Sequence, residues 1–282
     1  MSVSRLILLT SLALLAFAGN SLLCRAALAQ TNLDAASFTS VRLISGALVL
    51  WLLVAMRGKG SGPAMQGNWW SALALFIYAA GFSFAYLQLN TGVGALILFG
   101  AVQLTMIGVG LWRNERLTLP QWTGLLLAVA GLVGFLLPGI TAPPIVAALL
   151  MMAAGIGWGV YSLRGKGSTH PLQVTAGNFI RTVPFTLLLS AVFLAQVSVD
   201  AAGIVYALLS GALTSGVGYA IWYAVLPSLR ATTAATLQLA VPVLAALLGI
   251  ALLAEPLTLR LVVCSVVILG GIALVMLKRK TL

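Results

Sequence analysis

Acidic side chains are almost missing from this chain: Asp34, Glu115, Asp200 and Glu255 are the whole complement in 282 residues. There is one histidine, His170, and there are two cysteines, Cys24 and Cys264. An enzyme needs a constellation of acid, base or nucleophile. Here the acids fall near predicted helix ends and His170 in a predicted loop, so no catalytic set is found and no enzyme is expected. Neither cysteine has a CxxC or Cys/His neighbourhood, so neither metal nor disulfide is indicated, and both read as buried packing. No cofactor is expected. Charged residues make up only 7% of the chain, against roughly 25% in soluble domains. A soluble fold could not cover its surface with so few. With 61% apolar residues, the solvent for most of this surface must be lipid.

The net charge of +11 raises the possibility of a nucleic-acid partner. The fifteen Lys and Arg instead lie mostly between apolar runs, with no basic stripe interleaved with exposed aromatics, so no nucleic-acid partner is expected. A spanning helix needs about 20 mostly apolar residues. Cutting at charges, Pro and Gly clusters gives about ten candidates, roughly 4–26, 34–56, 68–89, 91–112, 118–137, 144–164, 172–195, 200–226, 231–253 and 258–277. The first mimics a signal peptide ending at Ala27-Leu28-Ala29. Its apolar run from Leu6 to Cys24 is long for such a leader and Arg25 interrupts the approach, so it reads as the first membrane helix.

Placing the N-terminus in the cytoplasm puts Arg5, Arg57, Lys59, Arg113, Arg116, Arg164, Lys166, Arg230, Lys278, Arg279 and Lys280 inside, and only Arg25 and Arg260 outside. Both termini are then cytoplasmic by the positive-inside rule. The expected location is a bacterial inner membrane, crossed many times.

The chain also repeats itself. Glu115 opens "ERLTL" and Glu255 opens "EPLTL", 140 residues apart, and Gly131 matches Gly271. Arg42 matches Arg181, and Arg25 matches Arg164, at an offset of 139. The expected fold is therefore all-α integral membrane: ten transmembrane helices as two five-helix repeats, 1–140 and 141–282. Five is odd, so the second half enters the membrane inverted. Inverted repeats are typical of secondary carriers, whose halves exchange conformations to open either side.

Four stretches now carry a resemblance: "FTSVRLISGAL" around Arg42, the "ERLTL" and "EPLTL" openings, "GIGWGVYSLR" from Gly155, and "LQLAVPVLAALLG" around Pro242. They are similar to the drug/metabolite transporter (DMT) superfamily with two EamA-type repeats, and most of all to YddG-type amino-acid exporters. The resemblance implies a central cavity lined by the first, third, fourth, sixth, eighth and ninth helices, with the fifth and tenth at the periphery. It implies export of amino acids, aromatic ones included. One departure is Val102, which stands where the second repeat has Pro242.

The candidate substrate contacts are aromatics and amides. Tyr78, Phe82 and Tyr86 recur at four-residue spacing on one helix face. Tyr219, Trp222 and Tyr223 cluster on the eighth helix, and Trp158, Tyr161 and Ser162 on the sixth. Tyr hydroxyls and the indole N–H bind polar groups while the ring faces stack; the competing assignment for each is helix packing or the interfacial belt, which wins for Trp69 and Trp70. Asn20, Gln103, Asn178 and Gln238 are amides within helices, suited either to substrate or to interhelical hydrogen bonds. Arg42 and Arg181 are costly in lipid and are assigned a shared structural role, with carboxylate binding as the alternative. Pro242 is a candidate hinge, since a mid-helix proline removes a backbone hydrogen bond; a static bend is the alternative. Gly155 and Gly159 form a GxxxG suited to close helix contact. Thr91 to Gly94 is not a phosphate loop, because no strand precedes it.

The midplane holds no predicted carboxylate or imidazole, the usual mark of proton or cation coupling. Neutral or zwitterionic amino acids are therefore the expected substrates, moved by alternating access. A multidrug exporter would want a buried acid, a nucleotide-sugar carrier more cavity cations, and a membrane scaffold a soluble domain. The remaining partner is the lipid bilayer, and a monomer is sufficient to enclose a pocket.

Overall fold

The computed structural model describes residues 2–56, 66–114, 116–139, 141–165, 168–229 and 237–276. The regular elements among them are helices: α1 (Val3–Gln30), α2 (Ala35–Ala55), α3 (Trp69–Tyr86), α4 (Thr91–Trp112), α5 (Leu119–Leu136), α6 (Ile145–Gly165), α7 (Pro171–Val192), α8 (Ala201–Val225), α9 (Ala240–Leu253) and α10 (Leu259–Met276). Eight of these are long and apolar enough to cross a membrane. The exceptions have separate causes. α7 spans 22 residues, but Gln173, Asn178 and Arg181 dilute its apolar character. α9 is short, at 14 residues. Its expected beginning at 231–236 lies outside the described residues, as do Glu115, Arg57, Lys59, Lys166, Arg230, Lys278, Arg279, Lys280 and the repeat boundary at residue 140.

Two of the scarce acids, Asp34 and Asp200, cap helix starts. The first N–H groups of a helix have no partner within it. Asp34 Oδ1 accepts from Ala36 N (3.0 Å) and Ser37 N (2.9 Å), while its Oδ2 accepts from Ser198 N (3.1 Å), tying the start of α2 to the loop before α8. Asp200 caps α8 through Gly203 N (3.0 Å). Burial resists ionisation of Asp34, but the hydrogen bonds from Ser37, Ser198 and Ala36 outweigh it and hold the carboxyl below its usual range. A carboxyl lowered by folding stabilises the protein above its unfolded value of roughly 3.9 and loses that contribution as pH falls through the lower folded value. We predict that Asp34→Asn removes part of the loss in melting temperature seen below about pH 5, measured on the detergent-solubilised protein against the unsubstituted chain. Identical acid profiles would contradict it.

Packing is close where small residues meet. α5 lies along α10, where Gly124 and Gly271 face each other: a Cβ on Gly271 would come within 2.6 Å of the Gly124 carbonyl oxygen. Gly131 abuts Ile268 in the same seam, so the repeat-related Gly131 and Gly271 share one helix pair. On α6, Gly155 approaches the backbone of α4 at Leu98 and Gly159 approaches Thr105. The other main pairings are α3 with α6 and α7, α2 with α7 and α8, α1 with α8 and α9, and α4 with α6 and α9. The buried core runs between these helices, while α5 and α10 turn Leu126, Val133, Val263 and Val266 outward.

Candidate functional site

A cavity sits at the centre of the bundle. It is lined by Phe17, Asn20 and Ser21 of α1, Tyr78 and Phe82 of α3, Leu98 and Phe99 of α4, Trp158 of α6, and Thr214 and Tyr219 of α8. Each helix supplies them by its own period. Phe17, Asn20 and Ser21 are i, i+3 and i+4; Tyr78 and Phe82 are i and i+4. The volume is about 20 Å³, enough for a single water, which needs roughly 10–15 Å³ by this measure. The site is too narrow here for a solute larger than that.

Aromatic rings form its wall. Trp158 is the hub, with ring centroids 5.0 Å from Tyr78, 5.1 Å from Tyr219 and 5.5 Å from Tyr161. Tyr78 continues to Phe82 at 5.5 Å, and Phe17 meets Tyr219 edge-on at 5.8 Å. Tilted and edge-on pairs are the arrangements ring quadrupoles favour.

The polar floor is organised by Asn20. Its Nδ2 donates to the Tyr78 hydroxyl (3.1 Å), and its Oδ1 accepts from Ser210 (2.6 Å) and Thr214 (3.3 Å). Both hydroxyls come from a π-helical stretch, Leu209–Val217, inside α8. π-helical bonding joins residues five apart, so Ser210 and Ser215 fall one turn apart. In an α-helix they would be splayed by about 140°. The π stretch therefore presents Ser210 and Thr214 to Asn20 and Ser215 to Arg42. Gly211 makes the approach to α2 possible, since a Cβ there would collide with the Arg42 backbone and the Ser45 hydroxyl.

Arg42 and its repeat mate differ. Arg42 has 1% of its surface exposed. Its Nη2 donates to the Tyr78 hydroxyl at 2.7 Å and its Nε to Ser215 at 3.4 Å. The guanidinium carbon lies 5.0 Å from the Tyr78 ring centre and 4.8 Å from that of Phe82. α2 adds nothing to the cavity lining, yet Arg42 stands directly behind two residues that do line it. Arg181 donates to the backbone carbonyls of Gln66 (3.2 Å) and Gly177 (2.9 Å).

The remaining candidates divide. Asn20, Tyr78, Phe82, Trp158 and Tyr219 are brought together at the cavity. Tyr86 packs edge-on against Phe82 and donates to the Thr91 carbonyl (3.1 Å), at the far end of α3. Trp222 meets Phe17 edge-on at 5.7 Å, outside the lining. Tyr161 and Tyr223 meet around a separate gap of about 10 Å³ against α7, shared with Asn178, whose Oδ1 accepts from Asn68 N at 3.0 Å. Tyr223 also borders an opening of about 300 Å³ at the ends of α2, α7 and α8. Gln103 is buried on α4 one turn beyond Phe99, Ser162 is half-buried on α6, and Gln238 is half-buried just before α9; none of the three lines the central cavity. Pro242 occupies the third position of α9 rather than a helix midpoint. No intrahelical bond is lost in a first turn, and its ring opposes the carbonyl of Gln238, where the helix is interrupted at Leu239. None of the described residues of the expected ninth helix, 237–253, lines this cavity; 231–236 lie outside the described residues.

The sequence profile of the EamA-like transporter family matches residues 145–277. The chain is 56% identical over 275 residues to an uncharacterized protein of Pseudomonas aeruginosa, covering 98% of this chain and 96% of that one. It is 27% identical over 216 residues to an uncharacterized transporter of Archaeoglobus fulgidus, covering 74% of this chain and 77% of that one. A solved crystal structure superposes with a TM-score of 0.68 over 97% of this chain and 96% of the other, at 19% identity, which speaks to the fold alone.

Proposed function

We propose that this chain is a multi-pass membrane transporter of the EamA-like family, whose profile matches residues 145–277, and that it exports neutral or zwitterionic amino acids, aromatic ones included, as the YddG-type exporters it resembles do. The observation that carries the proposal is the central cavity: an aromatic wall of Tyr78, Phe82, Trp158 and Tyr219 around the Asn20 amide. Such a wall stacks on apolar or aromatic side chains while the amide and hydroxyls bind polar ends. Among the described residues the acids Asp34 and Asp200 cap α2 and α8, and Glu255 holds the start of α4, so none faces the cavity. A lipophilic cation would find no counter-charge there.

We read the helices as ten spans in two inverted halves, with both termini cytoplasmic in a bacterial inner membrane. The packing supports two equivalent halves, and an odd number of spans in each would invert the second. Replacing each helix by the one five places along turns α3–α6 into α8–α1, α4–α6 into α9–α1 and α2–α8 into α7–α3, all of which are in contact, while α2–α7, α4–α9 and α5–α10 map onto themselves. Paired halves of this kind can rock about a fixed central site. A cavity of about 20 Å³ must widen to admit an amino acid, so this conformation is the closed one, and Pro242 beside the break at Leu239 is the hinge we assign to that motion.

The test is uptake of labelled Phe, Met and Thr into proteoliposomes holding the purified chain, with and without a pH gradient. Saturable uptake that ignores the gradient is expected. Movement of a lipophilic cation driven by the pH gradient, with no amino-acid flux, would overturn the assignment.

A further inference from the structure

We propose that Arg42 is the carboxylate-binding group of this transporter: its guanidinium, behind Tyr78 and Phe82, anchors the anionic end of the solute once the cavity opens. The substrate class is thereby narrowed to solutes bearing a carboxylate. The inference deepens the amino-acid assignment above and rests on the same central site.

Four observations converge on it. Arg42 is fully buried, and Nη1 has no hydrogen-bond partner. A guanidinium keeps its charge at any physiological pH and presents five donors. Burying such a charge is strongly unfavourable unless it is paired. Arg42 has only partial compensation: one tyrosine hydroxyl, one long contact to Ser215 and two ring faces. The titratable group in contact with it is Tyr78, which is not a carboxylic acid.

The second observation is the contrast with Arg181. The two arginines hold equivalent places in the repeat, so a purely structural role would treat them alike. Arg181 bonds backbone carbonyls at the end of the bundle near Gln66. Arg42 turns instead to the centre. Third, both rings against which it lies are cavity walls. The guanidinium is one side chain deep from the solute space, and displacement of Tyr78 frees Nη2, which donates to the Tyr78 hydroxyl. Fourth, the same tyrosine hydroxyl accepts from Arg42 and from Asn20, so an arriving carboxylate can take over both donors. Arg–carboxylate pairing is commonly bidentate and shorter and stronger than neutral hydrogen bonding, and Nη1 and Nη2 offer the two parallel donors that such pairing uses.

The experiment is thermal stabilisation of the detergent-solubilised full chain by paired ligands: Phe, Met and Thr, their carboxamides, and acetate and 3-phenylpropanoate as carboxylates without an amine. Ligands that bind the folded state raise its melting temperature. Carboxylates are expected to stabilise and carboxamides not to. In Arg42→Gln the concentration of Phe giving half the stabilisation should rise by about tenfold or more, with Arg42→Lys losing less. The acid–amide comparison in the unsubstituted protein stands even if Arg42→Gln does not fold. Amides and acids stabilising equally, or no carboxylate in the panel stabilising at all, overturns the Arg42 site. If acetate or 3-phenylpropanoate stabilises and no amino acid does, the amino-acid assignment falls and the Arg42 site stands. If amino acids and their amides are bound alike, the reverse holds.

Discussion

Asn20→Leu should yield a folded protein whose amino-acid uptake has collapsed. Asn20 is buried at the point where α1, α3 and α8 meet, and it is the acceptor for Ser210 and Thr214 and a donor to Tyr78. Leucine fits the volume but offers no polar atom. Thr214 still donates to the Ser210 carbonyl (2.8 Å) and Tyr78 still accepts from Arg42, so only Ser210 loses its acceptor. One stranded buried hydroxyl costs about 1–3 kcal/mol, which a serine in a helix offsets in part by turning to a backbone carbonyl of the preceding turn. The melting temperature should therefore fall modestly. Uptake should fall much further, because the amide at the centre of the polar floor is gone from every conformation of the cycle. Asn20→Asp is the informative companion: it keeps the acceptor for Ser210 and Thr214 but places a negative charge beside the Tyr78–Arg42 pair. It should fold and yet reject carboxylate solutes. Unchanged uptake in Asn20→Leu would remove Asn20 from the site.

How much of this was legible in the sequence depends on the kind of signal. Long apolar runs announced the helices, whereas in the sequence the glycines shared by the two repeats mark only the repeat, and the structure puts them in the α5–α10 seam, where close packing in lipid selects small residues. Tyr78 and Phe82 could be placed on one face from their spacing alone. Phe17, Asn20 and Ser21 follow the same rule, so the two missing members of that face were available. Thr214 and Ser215 were not. Their orientation depends on nine residues of π-helix, a geometry that leaves no periodic trace in an apolar run and that shifts every later residue of α8 relative to an α-helical projection. Tyr219 reaches the cavity, while Trp222 and Tyr223, its expected companions, pack against Phe17 and border the gap at α7. Arg42 stood out as a charge in lipid with a structural and a carboxylate-binding role open, but its place beside the central rings could not be read. Its helix is not a lining helix, and only the close approach of α2 to α8 at Gly211 brings a long side chain at that position to the central rings. Nor does the sequence say that Glu255 is a junction, since its partners lie on other helices far away along the chain.

Glu255→Leu should be the most destabilising single substitution of a charged residue among those placed here. Glu255 follows the left-handed Ala254 that ends α9 (φ 52°). Its two oxygens accept from Thr91 N at 2.9 and 2.8 Å, and Oε1 also accepts from the Thr91 hydroxyl at 3.1 Å. A carboxylate at a helix start also meets the positive end of the α4 dipole. Arg25 Nε completes the cluster at 3.6 Å from Oε1, while its Nη1 donates to the carbonyls of Tyr86 (2.9 Å) and Leu87 (3.1 Å) at the end of α3. One carboxylate thus fastens α9 to α4 and, through Arg25, to α1 and α3. Side-chain exposures of 9% for Glu255 and 19% for Arg25 keep the pair largely out of water. Removing one partner of a buried pair costs about 3–5 kcal/mol, and Glu255→Leu leaves the Thr91 N–H without its acceptor as well. Glu255→Gln keeps an oxygen for Thr91 and loses only the charge, so it should cost about 1–2 kcal/mol, nearer to the worth of one charge-assisted bond. A double-mutant cycle with Arg25→Gln on melting temperature should return a coupling of at least about 0.5 kcal/mol, as residues in contact do. Additive effects would mean that Thr91 alone, not the ion pair, holds this end of the bundle. Because four helices that meet at the central cavity or beside it are joined here, any opening of the cavity toward this end has to part the cluster. Glu255→Gln, still folded, should therefore alter the rate of uptake, whereas a conservative change on the lipid-facing side of α5, such as Leu126→Val, should not.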